Sequence, residues 1–320
     1  MKYTLYSLFI LMIVVSSCKK KEPIDPIEND PNNNPPADTT GTNDSTNVYD
    51  VFPYIIEPGT RPIVIAHRGG RGLRPENTLV AFDYAVSIGV DVLEMDVVLT
   101  KDSVLVTIHD VTIDNTADTT GSVADYTYQQ LQQFNFGYHF QASDGTYPYR
   151  TDPVRIPRLQ DVLMAYPDAL LNIEIKNSGA EGMYAASRLV DLINTYHNPK
   201  KVVAFSFDNT VMNYFRSINT DSIITGASLN DVTDFLQAYQ SGTDSVFNIE
   251  GQVFALPTDF SSIDLTESNF IDAIHRHDVG VHYWTINDKA EMKTLIQKGA
   301  DAIITDRPDL MQEALTELGF

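Results

Sequence analysis

Eight short apolar runs separated by amphipathic stretches, spread over about 260 residues and interrupted by one insertion, predict an α/β protein built as a (β/α)8 barrel. The runs lie at residues 63–66, 92–98, 170–175, 202–207, 223–227, 253–256, 281–284 and 302–305, and helix-like stretches at 76–88, 159–166, 181–196 and 289–298 stand between them. Strands that alternate with helices pair in parallel, so both faces of each strand are covered. Two crossings echo each other: Gly89-Val90-Asp91 precedes the second run and Gly299-Ala300-Asp301 the last. In both, glycine can take the left-handed position that closes a helix. An open doubly wound sheet is the competing architecture for this pattern. Residues 110–157 break the alternation. A structureless loop of that length is improbable in a compact domain, so a small inserted subdomain over one end of the barrel is expected.

The composition agrees with one sizeable domain, here bounded as residues 59–320. The chain has 320 residues, 43% of them hydrophobic and 20% charged, and a net charge of -21. Such a chain is neither a disulfide-stapled module nor wholly disordered, and its single cysteine allows no internal disulfide. A pI of 4.5 opposes nucleic-acid binding, which needs clustered Lys and Arg.

The first residues read as an address. Lys2 is followed by an apolar run over 3–15, too short to span a bilayer, and then by small residues. Val15-Ser16-Ser17-Cys18 resembles the bacterial lipobox. That resemblance implies a lipoprotein signal peptide over 1–17 and a lipidated Cys18; an ordinary signal peptide with an incidental cysteine is the alternative. Residues 18–58 are rich in Asn, Asp, Pro and Thr, which predicts a disordered tether with a reach of roughly 30–40 Å. The expectation is an exported protein, anchored to a membrane by lipid on its periplasmic or cell-surface face.

Chemistry concentrates on the inner faces of two strands. Strand alternation puts Leu93, Met95 and Val97 on one side and Val92, Glu94, Asp96 and Val98 on the other. Two carboxylates on a buried face need a cation nearby. By the same alternation Asn172, Glu174 and Lys176 share a face near the C-terminal end of the next strand, where barrel enzymes build their sites. Three converging carboxylates describe an oxygen-rich site for one hard divalent cation, Mg²⁺ or Ca²⁺; a purely structural pairing of Glu174 with Lys176 is the alternative. His67 ends the first run before Arg68-Gly69-Gly70. A hairpin turning at Lys101-Asp102 sets Asp96 opposite Thr107 and Glu94 opposite His109, a register that a slip of one residue reverses.

The ordered strings Ala66-His67-Arg68-Gly69, Arg74-Pro75-Glu76-Asn77-Thr78, Glu94-x-Asp96, Thr100-Lys101-Asp102, His109-Asp110, Ile156-Pro157, Glu174-Ile175-Lys176, Trp284-Thr285-Ile286-Asn287-Asp288 and Ile304-Thr305-Asp306-Arg307-Pro308 together resemble the glycerophosphodiester phosphodiesterase family. The resemblance implies a (β/α)8 barrel with a small insertion. It also implies metal-dependent hydrolysis of small glycerophosphodiesters to glycerol 3-phosphate and an alcohol. By matching motif it implies Glu94, Asp96 and Glu174 as metal ligands, His67 and His109 as the acid/base pair, and Arg68 and Lys176 as phosphate contacts. Trp284 is a candidate apolar wall beside the glycerol, or a packing residue. Pro75 and Glu76 read as a helix start and therefore as architecture. Two positions depart from the family pattern: Ser103 stands where Gly is usual and Arg158 where Thr is usual. The aromatic insertion (Tyr126, Tyr128, Phe134, Phe136, Tyr138, Phe140, Tyr147, Tyr149) reads as a subdomain core in preference to a choline cage. A phospholipase D-like or sphingomyelinase-like hydrolase of intact lipids, a phosphatidylinositol-specific phospholipase C, and a binding lipoprotein without turnover are the alternatives.

Overall fold

The computed structural model describes residues 53–220 and 223–320. The signal peptide, Cys18 and most of the proposed tether lie outside the described residues. Among those described, no helix is long and apolar enough to cross a membrane.

The strands are β1 (Ile63–Ala66), β2 (Val92–Leu99), β3 (Leu105–Thr107), β4 (Leu170–Ile175), β5 (Val202–Phe205), β6 (Ile224–Thr225), β7 (Val253–Leu256), β8 (Asp259–Phe260), β9 (Ile263–Asp264), β10 (Gly280–Tyr283) and β11 (Ala302–Thr305). The main sheet runs β6-β5-β4-β2-β1-β11-β10-β7, and these neighbours pair in parallel. A parallel bridge from Gly226 to Val253 joins its two ends and makes a barrel of eight strands. An open doubly wound sheet is therefore excluded. The α-helices among the described residues are α1 (Leu79–Ser87), α2 (Tyr128–Leu131), α3 (Leu159–Ala165), α4 (Gly179–Tyr196), α5 (Asn209–Ile218), α6 (Leu229–Ser241), α7 (Ser268–His275), α8 (Lys289–Lys298) and α9 (Pro308–Leu318).

Alternation along each strand divides the core in two. Leu93, Met95 and Val97 point outward and pack with α1, α3 and α4, while Val92, Ile63, Ile65, Val203, Val253 and Ile304 fill the barrel. The two glycine-x-aspartate crossings do the same job. Asp91 accepts the backbone N–H of Val64 at 2.8 Å, and Asp301 that of Val281 at 2.6 Å. Each aspartate thus ties the start of its own strand to a neighbouring strand.

The packed region starts before residue 59. Tyr54, within the segment expected to be tether, is 1% exposed and closes the lower end of the barrel. Its hydroxyl donates to the Leu171 carbonyl at 3.0 Å, its carbonyl meets His282 Nε2 at 2.7 Å, and Ile56 N donates to Asp301 at 3.0 Å. Asp301 also receives His275 Nε2 at 2.7 Å. Burial disfavours charge on His275, but the hydrogen bond and charge of Asp301 outweigh it and raise its pKa. A pKa raised by folding contributes stability below the unfolded value of about 6.5 that is lost as pH rises through the folded value. Wild type is expected to exceed His275→Gln in stability by about 1–2 kcal/mol at pH 6, with the gap closing in melts at rising alkaline pH.

The hairpin register is one residue off the sequence expectation. Val97 pairs with Thr107, Val98 with Val106 and Leu99 with Leu105, so the turn holds three residues, Lys101 to Ser103, where two were expected. Ser103 takes the left-handed conformation (φ 62°) that such a turn needs. Glycine would meet that requirement without steric strain. Ser103→Gly is expected to stabilise the protein by about 0.5–1 kcal/mol in chemical denaturation. The other departure is also local: Arg158 precedes α3 and pairs with Asp161 at 2.6 Å.

The insertion has its own small core, in which Val98, Val106, Ile108, Leu131 and Phe136 are buried and Tyr126, Tyr128 and Phe134 pack at the edge. Tyr138 and Tyr147 stack on Arg150 at 4.8 and 3.7 Å. None of the eight insertion aromatics lines the main cavity.

Candidate active site

A cavity of about 310 Å³ opens at the C-terminal ends of the barrel strands. His67, Arg68, Glu94, Asp96, His109, Glu174, Lys176 and Trp284 all line it, so the structure brings together every site residue expected in the barrel.

The bend after β1 aims the first two. Arg68 (φ 52°), Gly69 (φ 78°) and Gly70 (φ 84°) are all left-handed, so the chain reverses immediately above the strand. A Cβ on Gly69 would lie 2.7 Å from Ala81 Cβ, which leaves glycine the only residue that fits. Arg68 stays in its unfavourable conformation because its backbone N–H donates to Glu94 Oε2 at 2.6 Å. Its guanidinium lies 3.4 Å from Asp96 and 3.2 Å from Glu76. Lys176 Nζ sits 2.8 Å from Glu174 and 3.6 Å from Asp96.

His67 Nδ1 meets Asp306 Oδ1 at 2.6 Å, and Arg68 Nε donates to His67 Nε2 at 3.3 Å. This network favours the tautomer with hydrogen on Nδ1 and a lone pair on Nε2. Asp306 also accepts from Arg71 and Asn287, each at 2.9 Å. Burial opposes ionisation of Asp306, yet His67, Asn287 and Arg71 together pull its pKa down to about 2. His109 has a matching partner, Asp110, at 2.8 Å from its Nδ1. The shifted register aligns residue 109 with Met95, not Glu94 as expected. The paired strand ends at Thr107, so His109 reaches the cavity from the loop beyond it.

Three carboxylates crowd the floor. Glu94 is held well above its usual pKa by burial and by the charges of Asp96 and Glu174, although the Arg68 N–H opposes this. Burial also raises Glu174, against the pull of Lys176. Lys176 is itself raised, because Glu174 and Asp96 outweigh its burial. As the side chains stand, no three His, Cys, Asp or Glu among the described residues form a ready ligand cluster; Lys176 reaches both Asp96 and Glu174. Asn172, paired in register with Glu94, is buried with both amide atoms unpartnered.

Several residues were missed from sequence. Glu76 does not start a helix; α1 starts at Leu79, capped by Thr78, and Glu76 lies outside it, bridging Arg68 and Arg71. Asn77, at φ 55°, donates to Asp96 at 2.9 Å and accepts its backbone N–H at 3.1 Å. Asp110, Asn287 and Asp306 complete the set. All stand inside the strings that carried the family resemblance, which was the available signal. Trp284 forms part of the cavity wall, edge-on to Phe207 at 5.9 Å.

Two imidazoles, three carboxylates and two cations lie together at the mouth of a (β/α)8 barrel, where barrel enzymes build their sites. Residues 67–310 match the model of the Glycerophosphoryl diester phosphodiesterase family, and the chain belongs to that family. It is 31% identical over 263 residues to a glycerophosphodiester phosphodiesterase from Caldanaerobacter subterraneus subsp. tengcongensis, covering 78% of this chain and 96% of that one. A lysophospholipase D from Homo sapiens is 27% identical over 274 residues, covering 78% and 85%. Among solved structures, a putative glycerophosphoryl diester phosphodiesterase from Silicibacter pomeroyi superposes with a TM-score of 0.68 at 24% identity, covering 85% of this chain and 98% of that one. A phosphodiesterase from Oleispira antarctica, solved with its product sn-glycerol-3-phosphate, gives 0.65 at 24% identity, covering 80% and 97%.

Proposed function

We propose that the protein hydrolyses glycerophosphodiesters to glycerol 3-phosphate and an alcohol, with His67 and His109 as the acid/base pair. The observation that carries this reading is the placing of both imidazoles at one cavity, each held at Nδ1 by a carboxylate, beside Arg68 and Lys176. A phosphodiester is anionic and repels nucleophiles, so the two cations offset charge on its non-bridging oxygens. One imidazole takes the proton of the attacking hydroxyl, either water or the diester's own glycerol hydroxyl. The other protonates the departing alkoxide, which leaves poorly without a proton. Asp306 and Asp110 fix ring orientation and tautomer, as does Asp in hydrolytic triads.

The donor set fits one divalent cation, Mg²⁺ or Ca²⁺. Glu94, Asp96 and Glu174 supply only oxygen, and their carboxylates converge on one buried floor, where burial first and then the charges of Asp96 and Glu174 raise the Glu94 pKa. When bound, the ion supplies Lewis-acid polarisation of the phosphoryl oxygens. The direct test is release of glycerol 3-phosphate from glycerophosphocholine by the full chain. Turnover of intact diacyl phospholipid with none of glycerophosphocholine would replace this reading by the intact-lipid alternative.

The lipobox-like Val15-Ser16-Ser17-Cys18 supports export and lipid anchorage to a membrane. Cys18→Ser is expected to move the protein from the membrane fraction to the soluble one; an unchanged distribution counts against the anchor.

A further inference from the structure

The inward faces of β2 and β4 present four side chains as a two-by-two block. Glu94 pairs in register with Asn172 and, further along the same strands, Asp96 pairs with Glu174. Three of the four are the carboxylates proposed above as ligands of the divalent cation, and the fourth is an amide. Asn172 is 1% exposed and lines the cavity, yet neither its Nδ2 nor its Oδ1 has a hydrogen-bond partner. Among the described residues, no other buried side-chain atom without a partner belongs to a residue lining the cavity. A buried amide unmatched on both atoms forfeits its hydration, so such a group calls for a partner. On the barrel wall, Val203 of β5 stands in register on one side of Asn172 and is apolar. On the other side stands Glu94, whose Oε2 takes the Arg68 N–H at 2.6 Å. The other two carboxylates are already held by side chains: Asn77 donates to Asp96 at 2.9 Å and Lys176 to Glu174 at 2.8 Å.

We propose that Asn172 is a positioning residue for the divalent cation, its amide hydrogen-bonding the Glu94 carboxylate and the water that accompanies the ion. The inference rests on the cation site proposed above and adds a neutral member to it. Nδ2 donates to Glu94, so that the carboxylate is held by Asn172 as well as by the Arg68 N–H. Oδ1 accepts from water, which Mg²⁺ in particular retains when it binds to protein. An amide does both without charge. A carboxylate at this position could not donate and would add a fourth negative charge to the buried floor, and an aliphatic side chain would offer Glu94 no hydrogen bond. Partners of this kind fix the orientation of a metal ligand without touching the metal.

The test titrates the metal-free full chain with Mg²⁺ and, separately, with Ca²⁺ by calorimetry, for wild type, Asn172→Leu and Asn172→Ala. Leu fills the site with a side chain that cannot hydrogen-bond, and Ala removes the amide without adding bulk, so each variant covers a folding failure of the other. Both should bind the ions about 10- to 100-fold more weakly than wild type, the range for losing the partner of a metal ligand. With glycerophosphocholine, the cation concentration that gives half-maximal activity should rise by the same factor. Excess cation should then restore kcat, which it would not do for a packing defect. Wild-type ion affinity in a folded variant overturns the inference and leaves the cation site standing, as does a loss of kcat that excess cation does not restore. Failure of the wild type itself to bind either ion removes the cation site, and the inference with it.

Discussion

His67→Ala and His109→Ala each lower kcat for glycerophosphocholine by about 10²–10⁴-fold, the range for losing a positioned general acid or base. His109→Ala should alter thermal stability little, whereas His67→Ala also removes the partner of Asp306 and should lower it modestly. The double variant should fall little below the worse single one, since the two imidazoles act in one proton-transfer sequence. Asp306→Asn separates positioning from proton transfer. It keeps the shape around His67 but removes the carboxylate that receives Nδ1, and so should shift the pH–rate profile as well as lower kcat. Steady-state assays over pH 5–9 check all four proteins. Single histidine variants that retain wild-type kcat would remove the proposed acid/base pair.

Chelation with EDTA lowers turnover by at least about 10³-fold, because a divalent ion supplies several kcal/mol of charge stabilisation to phosphoryl transfer. A second readout is independent of catalysis. An ion that binds only the folded chain stabilises it by about 2.7 kcal/mol at one hundred times its dissociation constant. That corresponds to a rise in Tm of roughly 5–10 °C for a domain of this size. The rise should be lost in Glu94→Ala and Asp96→Ala. Activity unaffected by EDTA, together with a Tm that ignores Mg²⁺ and Ca²⁺, contradicts the metal assignment.

The barrel could be read from the sequence because its strands are buried on both faces and so appear as continuous apolar runs. The expected bounds of β1, β4, β7 and β11 match the observed ones. β5 and β6 end earlier than expected: Phe207 and Ala227 belong to the cavity mouth, and apolarity alone does not separate a strand from an apolar wall. The hairpin was misread for a local reason. A two-residue turn and a three-residue turn differ by one left-handed residue, and serine at 103 carries no sign of that conformation where glycine would have.

The charged half of the site followed from alternation, since Glu94 with Asp96 and Glu174 with Lys176 sit two apart on inward faces. Asp306 and Glu76 did not, because their contacts join residues far apart in the chain or across an irregular turn, where periodicity carries no information. Asp306 reaches His67 across 239 positions, between adjacent strands β11 and β1. The same reasoning explains Tyr54, which enters the barrel from a segment whose composition reads as unstructured.

The most direct measurement is the identity of the products formed from glycerophosphocholine by the full chain in the presence of divalent cation. Glycerol 3-phosphate and choline in equal amounts, with both lost in His67→Ala, are the result expected from this site. Glycerol and phosphocholine, or products undiminished in His67→Ala, would contradict it.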